Sequence, residues 1–171
     1  MSRTQDLLAE LASERDAFLD ALEAVDLELV TVPGVVDGWS VRDLIVHVAF
    51  WAEHATEALR LATEGRGAEF AYDPAQTDTM NARLLEEARQ TTPEAAVERE
   101  TRAFGGFAGA LNDLDPELLD VALGNGHTPA MVIGYDGPEH YREHAGHLHA
   151  WFDEADEADE ADEADEADDD I

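Results

Sequence analysis

The stretch SVRDLIVHVAFWAEHATEAL, residues 40–59, decides the fold class of this chain. Its apolar residues recur three and four positions apart, which places them on one face of an amphipathic α-helix. Ser40 precedes the first turn and Asp43 follows three positions later, a spacing typical of a capping box at a helix N-terminus. The inward-facing positions are Val41, Leu44, Ile45, Val48, Ala52, Ala55 and Leu59. The sequence therefore predicts a helix that begins after Ser40, ends near Gly65 and carries His47 in its second turn.

Four further stretches have a helical pattern. Apolar residues recur at heptad-like spacing over residues 4–29, and a second amphipathic segment covers residues 77–90. A threonine–proline pair, typical of a helix start, predicts a helix over residues 93–113. The last core helix is predicted over residues 138–152. Because no stretch suggests a sheet, the chain is predicted to form one all-α domain, a four-helix bundle over residues 1–152.

Two connections bear on the path of the chain through this bundle. Residues 65–75 form a loop long enough to act as a crossover. Residues 124–137, GNGHTPAMVIGYDG, are predicted as a loop with a short extended piece at residues 130–133. A short helical turn is expected at residues 116–121. With simple up-down-up-down topology, the second and last bundle helices run parallel.

Three histidines on these two helices are the candidate functional residues. His140 and His144 lie four positions apart, so they share one face of the last helix. If that helix runs parallel to the one bearing His47, all three imidazoles reach the interior at similar depth, roughly 10 Å from one end. Three neutral imidazoles with a fourth position open form a metal site of catalytic type. The spacing leaves a second interpretation, in which they are separate histidines at a wet end of the bundle.

The other four histidines are expected to lie outside this set. His54 is seven positions past His47, so it lies about 10 Å deeper along the helix. His147 either contacts a ligand histidine from behind or packs near the end of the last helix. His127 is expected at the mouth of a substrate cavity, and His149 on the surface.

The charge of the chain is extreme, with 41 acidic residues, 10 basic residues and a net charge of -31. Such a surface repels nucleic acids and anionic membranes, so neither is expected as a partner. All the basic residues are arginine. A lysine-free acidic composition resembles that of proteins from salt-loving cytoplasms, although a genomic base-composition bias also explains missing lysines. The chain has no cysteine, so any metal must be held by nitrogen and oxygen.

Two features of the ends complete the prediction. The N-terminus has no signal-peptide pattern and no apolar run is long enough to span a bilayer, so a cytoplasmic location is expected. Residues 153–171 repeat Asp-Glu-Ala five times and end in Asp-Asp-Asp-Ile. A period of three gives no apolar face, so this segment is predicted to be a solvated acidic tail, disordered or a frayed helix. The alternative is a specific acidic docking tail.

Two motifs resemble those of a known superfamily. GWSVRDLIVHVAFW, residues 38–51, resembles the second-helix signature of the DinB-like (damage-inducible) superfamily, which includes the N-terminal domains of mycothiol-dependent maleylpyruvate isomerases. HYREHAGH, residues 140–147, resembles its final-helix motif. The resemblance implies a four-helix bundle of DinB-like type that binds one divalent metal, zinc or nickel. It places the three metal ligands on His47, His140 and His144.

The resemblance also implies a class of activity. Characterised members suggest a divalent-metal-dependent enzyme, a thiol-dependent transferase or isomerase or a hydrolase, which acts on a small-molecule substrate in stress response or detoxification. Because the chain has no cysteine, a low-molecular-weight thiol would have to supply the sulfur. A homodimer is consistent with the resemblance. Two other classes remain open, a non-catalytic metal- or ligand-binding bundle and an acidic interaction protein. No catalytic or cofactor-binding residue is assigned beyond the metal set.

Overall fold

The computed structural model describes the backbone of residues 2–168 and the side chains of residues 2–153. Over this range the chain is α-helical and contains no strand, so the all-α prediction is confirmed. Short 3-10 turns occur in the connections. The helices are α1 (Arg3–Glu23), α2 (Val41–Thr63), α3 (Thr77–Arg89), α4 (Pro93–Asp113), α5 (Pro129–Asp136) and α6 (Pro138–Asp168). The four long ones, α1, α2, α4 and α6, form the bundle.

The relative direction of α2 and α6 follows from their contacts. His47, near the start of α2, contacts His140 and His144 of α6. Two turns further along α2, His54 contacts Asp136, which lies just before α6. Position along α6 therefore falls as position along α2 rises, and the two helices run antiparallel. The prediction that they run parallel was wrong, although the three histidines still meet.

The reason for this topology is the long connection between α2 and α4. Glu53 pairs with Arg99, and Thr56 lies beside Gly106, so positions along α2 and α4 rise together. The two helices therefore run in the same direction. Residues 64–92, which contain α3, carry the chain back to the start of α4. A short loop would have forced α4 to run antiparallel to α2, as the simple up-down-up-down topology assumes.

The start of α2 is fixed by its cap and by a tight turn. The Ser40 side chain accepts from the backbone N–H of Asp43, and the Asp43 carboxylate accepts from the backbone N–H of Ser40, as the capping-box spacing predicts. Just before it, Val36 and Trp39 form an isolated bridge around Asp37 (φ 46°) and Gly38 (φ 80°). Two consecutive positive φ values favour an Asp-Gly pair in such a turn. The turn holds the Trp39 side chain close to His47.

The segment before α6 differs from its prediction. Residues 129–136 form helix α5 instead of a loop with an extended piece, because Thr128 caps the helix and Pro129 occupies its first position. Gly137 alone separates α5 from α6. A Cβ at Gly137 would lie 2.5 Å from the backbone oxygen of Ile133, so only glycine allows this close approach. The junction places Asp136 four residues before His140.

A buried ion pair ties three bundle helices together. The Glu100 carboxylate of α4 is 2% exposed and accepts two hydrogen bonds from the Arg15 guanidinium of α1, each 2.8 Å long. It also accepts one from the hydroxyl of Tyr141 on α6, at 2.7 Å. Because Tyr141 is the neighbour of His140, this network fixes the rotation of α6 about its axis at the level of the histidines.

The ends of two helices differ from the predicted boundaries. α1 ends at Glu23 instead of near residue 29, and Leu27 beyond it is 91% exposed. α6 continues to Asp168, beyond the predicted end of the core helix at residue 152. The acidic tail predicted over residues 153–171 lies outside the described side chains from residue 154 and outside the described backbone from residue 169, so it stays a prediction. Within the described range, no helix combines the length and the apolarity needed to cross a membrane.

Candidate metal centre

Three imidazoles converge between α2 and α6. Nε2 of His47 lies 2.8 Å from Nε2 of His140, and the ring centroids of these two residues are 4.7 Å apart. The ring of His144 lies 5.0 Å from that of His47 and 4.7 Å from that of His140. One nitrogen from each of the three lies within 4.8 Å of the others, a spacing that suits a single metal ion. We call His47, His140 and His144 the histidine cluster.

Burial keeps the histidine cluster uncharged. Loss of hydration lowers the pKa of His47 to about 4. Loss of hydration also lowers the pKa of His144 to about 3, and the neighbouring imidazoles of His47 and His147 lower it further. For His140, burial and then its two imidazole neighbours hold the pKa well below the usual value of 6.5. All three rings are therefore neutral at pH 7, the form that binds a metal ion.

The outer nitrogens of the cluster fit a metal only in part. Nδ1 of His144 lies 3.2 Å from Nδ1 of His147, so His147 supports His144 from behind, as one of its two predicted placements requires. By contrast, Nδ1 of His47 and Nδ1 of His140 are buried and have no hydrogen-bond partner among the described residues. Buried polar atoms of this kind are rare in folded proteins. The facing nitrogens, Nε2 of His47 and Nε2 of His140, are the ones placed to bind a cation, and such a cation would leave both Nδ1 atoms without a partner.

The histidine cluster opens into a cavity of about 610 Å³. Helix α3 forms one of its walls, and Trp51, which donates from Nε1 to Oδ1 of Asn81, joins α2 to that wall. Trp39 and Trp51 lie edge-on to the His47 ring, with centroids at 5.2 Å and 6.3 Å. Two tryptophans therefore pack against His47, and one of them, Trp51, also contacts α3. The volume is that of a small-molecule site.

A second polar pair lies beside the histidine cluster. Nδ1 of His54 is 2.6 Å from Oδ2 of Asp136, and the Asp136 side chain lines the cavity. Burial raises the pKa of Asp136 to about 6, although the hydrogen bond from His54 opposes the shift. Nε2 of His54 is buried without a partner among the residues described, with Phe70 and Tyr72 against its ring. His54 does not belong to the group of three histidines whose nitrogens lie within 4.8 Å of one another.

The remaining predicted histidines lie away from the cluster. His149 is exposed, as predicted. His127 does not line the cavity; instead its Nδ1 lies 3.0 Å from the hydroxyl of Tyr135, which does. Sequence reasoning missed Asp136 altogether. Its position gave no local signal, because Asp136 ends α5 rather than lying on α6 and its pairing with His54 depends on how α2 packs against the α5–α6 junction.

Comparison with known proteins places this architecture among described folds. The family model described as mycothiol maleylpyruvate isomerase N-terminal domain matches residues 11–149. This range contains the histidine cluster and the His54–Asp136 pair. No curated protein matches the chain.

Two solved structures share the fold. An uncharacterised protein from Escherichia coli UTI89 matches with a TM-score of 0.77 at 16% identity, over 91% of this chain and 96% of the other. The colibactin self-resistance protein ClbS, solved in complex with a double-stranded DNA, matches with a TM-score of 0.74 at 15% identity, over 88% of this chain and 95% of the other. At such identities the likeness concerns the fold alone.

Proposed function

The chain belongs to the mycothiol maleylpyruvate isomerase N-terminal domain family, and from this membership we propose that it is a divalent-metal-dependent enzyme that uses a low-molecular-weight thiol to transform a small organic substrate. The observation that carries the proposal is the convergence of three neutral imidazoles in the wall of a cavity of about 610 Å³. Detoxification or stress response is the proposed role. A hydrolase that uses water in place of the thiol is the nearest alternative.

The histidine cluster is the proposed metal-binding set. His47, His140 and His144 each offer one nitrogen, and three nitrogen ligands with an open fourth position are typical of catalytic zinc sites. Zinc or nickel suits an all-imidazole set better than magnesium or calcium, which prefer oxygen. When bound, the metal supplies a Lewis acid that lowers the pKa of a coordinated thiol or water and polarises a carbonyl.

The side chains around the histidine cluster determine the polarity near the reacting atoms and provide a group that can take up a proton. Trp39 and Trp51 pack edge-on against the His47 ring, so apolar surface lies next to the cluster and strengthens electrostatic interactions there. Asp136 is the one deeply buried carboxyl among the cavity-lining residues that the structure describes. With a pKa of about 6 it can take up a proton at its carboxylate near neutral pH, while His54 fixes the orientation of that carboxylate.

The sulfur must come from outside the polypeptide. The chain has no cysteine, so it offers no thiolate of its own. The cavity volume is sufficient for a small thiol and part of a substrate. A thiol cofactor bound near the histidine cluster therefore agrees both with the mycothiol named in the family description and with the absence of cysteine from this chain.

The test compares the full chain, purified without a histidine tag and washed with a mild chelator, in its metal-free and metal-reloaded forms. We expect one tightly held ion per chain in the wild type and less than a tenth of that in His47→Ala, His140→Ala and His144→Ala. The exposed His149→Ala on the same helix is the matched control and should retain its metal. Thiol-transfer and hydrolysis assays on the reloaded protein then follow.

Each outcome selects one class of function. Thiol-dependent turnover that requires the metal supports the proposal, whereas metal-dependent turnover without thiol favours the hydrolase. Stoichiometric metal without turnover of any tested substrate favours a binding bundle. Absence of tightly held metal in the wild type would overturn the proposal. In that case deletion of residues 153–171 tests the acidic interaction protein, since loss of partner binding would be expected.

A further inference from the structure

The charged side chains on the cavity wall are acidic. Among the residues that the structure describes, the wall contains four carboxylates and several histidines but no arginine. Asp136 is buried, whereas the other three carboxylates are exposed and define the rim. We call Asp37, Asp78 and Glu143 the rim carboxylates. They come from the turn before α2, from α3 and from α6, so they surround the opening from three elements.

The rim carboxylates have no cationic partner in the described part of the chain. None of the three takes part in an ion pair or a side-chain hydrogen bond there. Arginines on the same elements pair elsewhere: Arg42 with Asp43, and Arg142 with carboxylates of α1. Asp78 lies in the first turn of α3, where the helix dipole offsets a fraction of its charge. The rim thus keeps most of its negative potential.

Four aromatic side chains line the same cavity as the rim carboxylates and the histidine cluster. Trp39, Trp51, Tyr72 and Tyr135 all line the cavity. The faces of indole and phenol rings attract organic cations, most strongly where water is excluded. Ring faces and carboxylates therefore favour the same sign of charge on a ligand.

We infer that this cavity binds an organic ligand that bears a positively charged amino group, and that it discriminates against ligands that bear a carboxylate. The inference rests on the proposed function, because the ligand would lie beside the proposed metal. The absence of arginine does not by itself exclude a carboxylate ligand, because the proposed metal ion would attract one. The rim carboxylates are the feature that disfavours such a ligand. The three unpaired carboxylates at the entrance oppose such a ligand on its way in and in its bound position.

The experiment uses the full chain loaded with cobalt and three small thiols that differ mainly in charge. Cysteamine is cationic, 2-mercaptoethanol is neutral and 3-mercaptopropionate is anionic at pH 7.5. Binding of the sulfur is followed through the thiolate-to-cobalt charge-transfer absorption in the near ultraviolet, which does not require turnover. We expect the Kd to rise from cysteamine through mercaptoethanol to mercaptopropionate at low ionic strength, and the differences to shrink in molar salt.

Two matched variants separate the rim from the charge of the whole protein and from the intrinsic acidity of each thiol. One is Asp37→Asn/Asp78→Asn/Glu143→Gln. The other, Asp6→Asn/Asp113→Asn/Glu117→Gln, removes the same charge from exposed positions that do not line the cavity. The measured quantity is the ratio of the mercaptopropionate Kd to the cysteamine Kd. The rim variant should lower this ratio roughly tenfold, and the control variant less than twofold.

The outcomes distinguish this inference from the function on which it rests. A tenfold fall confined to the rim variant supports it. An unchanged ratio in the rim variant, an equal fall in both variants, or tighter binding of mercaptopropionate by the wild type overturns it, while the metal proposal stands. Absence of tightly held cobalt, or of the absorption band with all three thiols, overturns the inference together with the thiol-dependent function.

Discussion

Nδ1 of His54 lies 2.6 Å from Oδ2 of Asp136, and that carboxyl lines the cavity into which the histidine cluster opens. Burial raises the pKa of Asp136 from 3.8 to about 6 despite the hydrogen bond from His54. A raised pKa in the folded state means that folding favours the protonated carboxyl. Its contribution to the free energy of unfolding therefore falls as pH rises from about 4 to about 6.

The variant Asp136→Asn isolates this contribution, because asparagine has the same shape and does not ionise. In metal-free protein, the unfolding free energy of the wild type minus that of the variant should fall by about 1 kcal/mol between pH 5 and pH 7. Denaturant titrations at several pH values measure the difference. Asp113→Asn, at an exposed position, serves as the control and should show no such trend. A difference independent of pH would contradict the buried, protonatable carboxyl.

The low pKa values of the histidine cluster predict how metal affinity depends on pH. Because burial keeps the three rings neutral well below pH 6.5, protons do not compete with the metal until the pH approaches 4. The apparent Kd for zinc should therefore change less than about threefold between pH 7.5 and pH 5.5. Three histidines with ordinary pKa values would weaken binding roughly a thousandfold over that range. Competition with a calibrated fluorescent chelator measures the affinity, and a steep loss would refute the buried, neutral cluster.

The net charge of -31 predicts a strong response to salt. Self-repulsion destabilises the compact chain at low ionic strength and is screened near 1 M salt, where the Debye length is about 3 Å. The midpoint of thermal unfolding should rise by about 10 °C between 0.05 M and 2 M potassium chloride. Deletion of residues 153–171 should reduce the rise without removing it, since most of the charge lies before residue 153. A flat response would favour base-composition bias as the origin of the missing lysines.

The same charge predicts that duplex DNA is not a ligand, although one solved structure with this fold contains DNA. Phosphate contacts require cations, and acidic residues outnumber the arginines by 41 to 10. Fluorescence anisotropy of a labelled duplex at 0.15 M salt should show no binding at micromolar protein concentrations. The chain lacking residues 153–171 should behave in the same way. Saturable binding by either form would show that a local surface overrides the net charge.

Local sequence signals predicted where most helices lie, whereas long-range contacts decided how the helices run relative to one another. The Ser40–Asp43 cap and the start at Pro93 are both present, because capping depends only on residues within one turn. The direction of α6 against α2 depends on how the crossover folds, which no local pattern reveals. Helix α5 was missed because the glycines around it resemble a loop, whereas its Thr128 cap was a readable signal.

The histidine cluster was predicted from spacing combined with a wrong topology. Two imidazoles four residues apart cover enough of α6 for a third to reach them from a helix of either direction. The direction instead decides the neighbours. Because α2 and α6 are antiparallel, the part of α2 that follows His47 packs beside the residues that precede His140. His54 of α2 therefore contacts the carboxyl of Asp136. The pair was beyond sequence analysis, because it depends on the packing of α2 against the α5–α6 junction.

The most direct test of the metal centre is X-ray absorption at the zinc edge of the tag-free, chelator-washed, zinc-reloaded chain. We predict one zinc per chain with three imidazole nitrogens at about 2.0–2.1 Å and one further light atom, and loss of this signal in His144→Ala. Zinc surrounded only by carboxylate oxygens, or a spectrum unchanged in His144→Ala, would contradict the assignment of His47, His140 and His144 as its ligands.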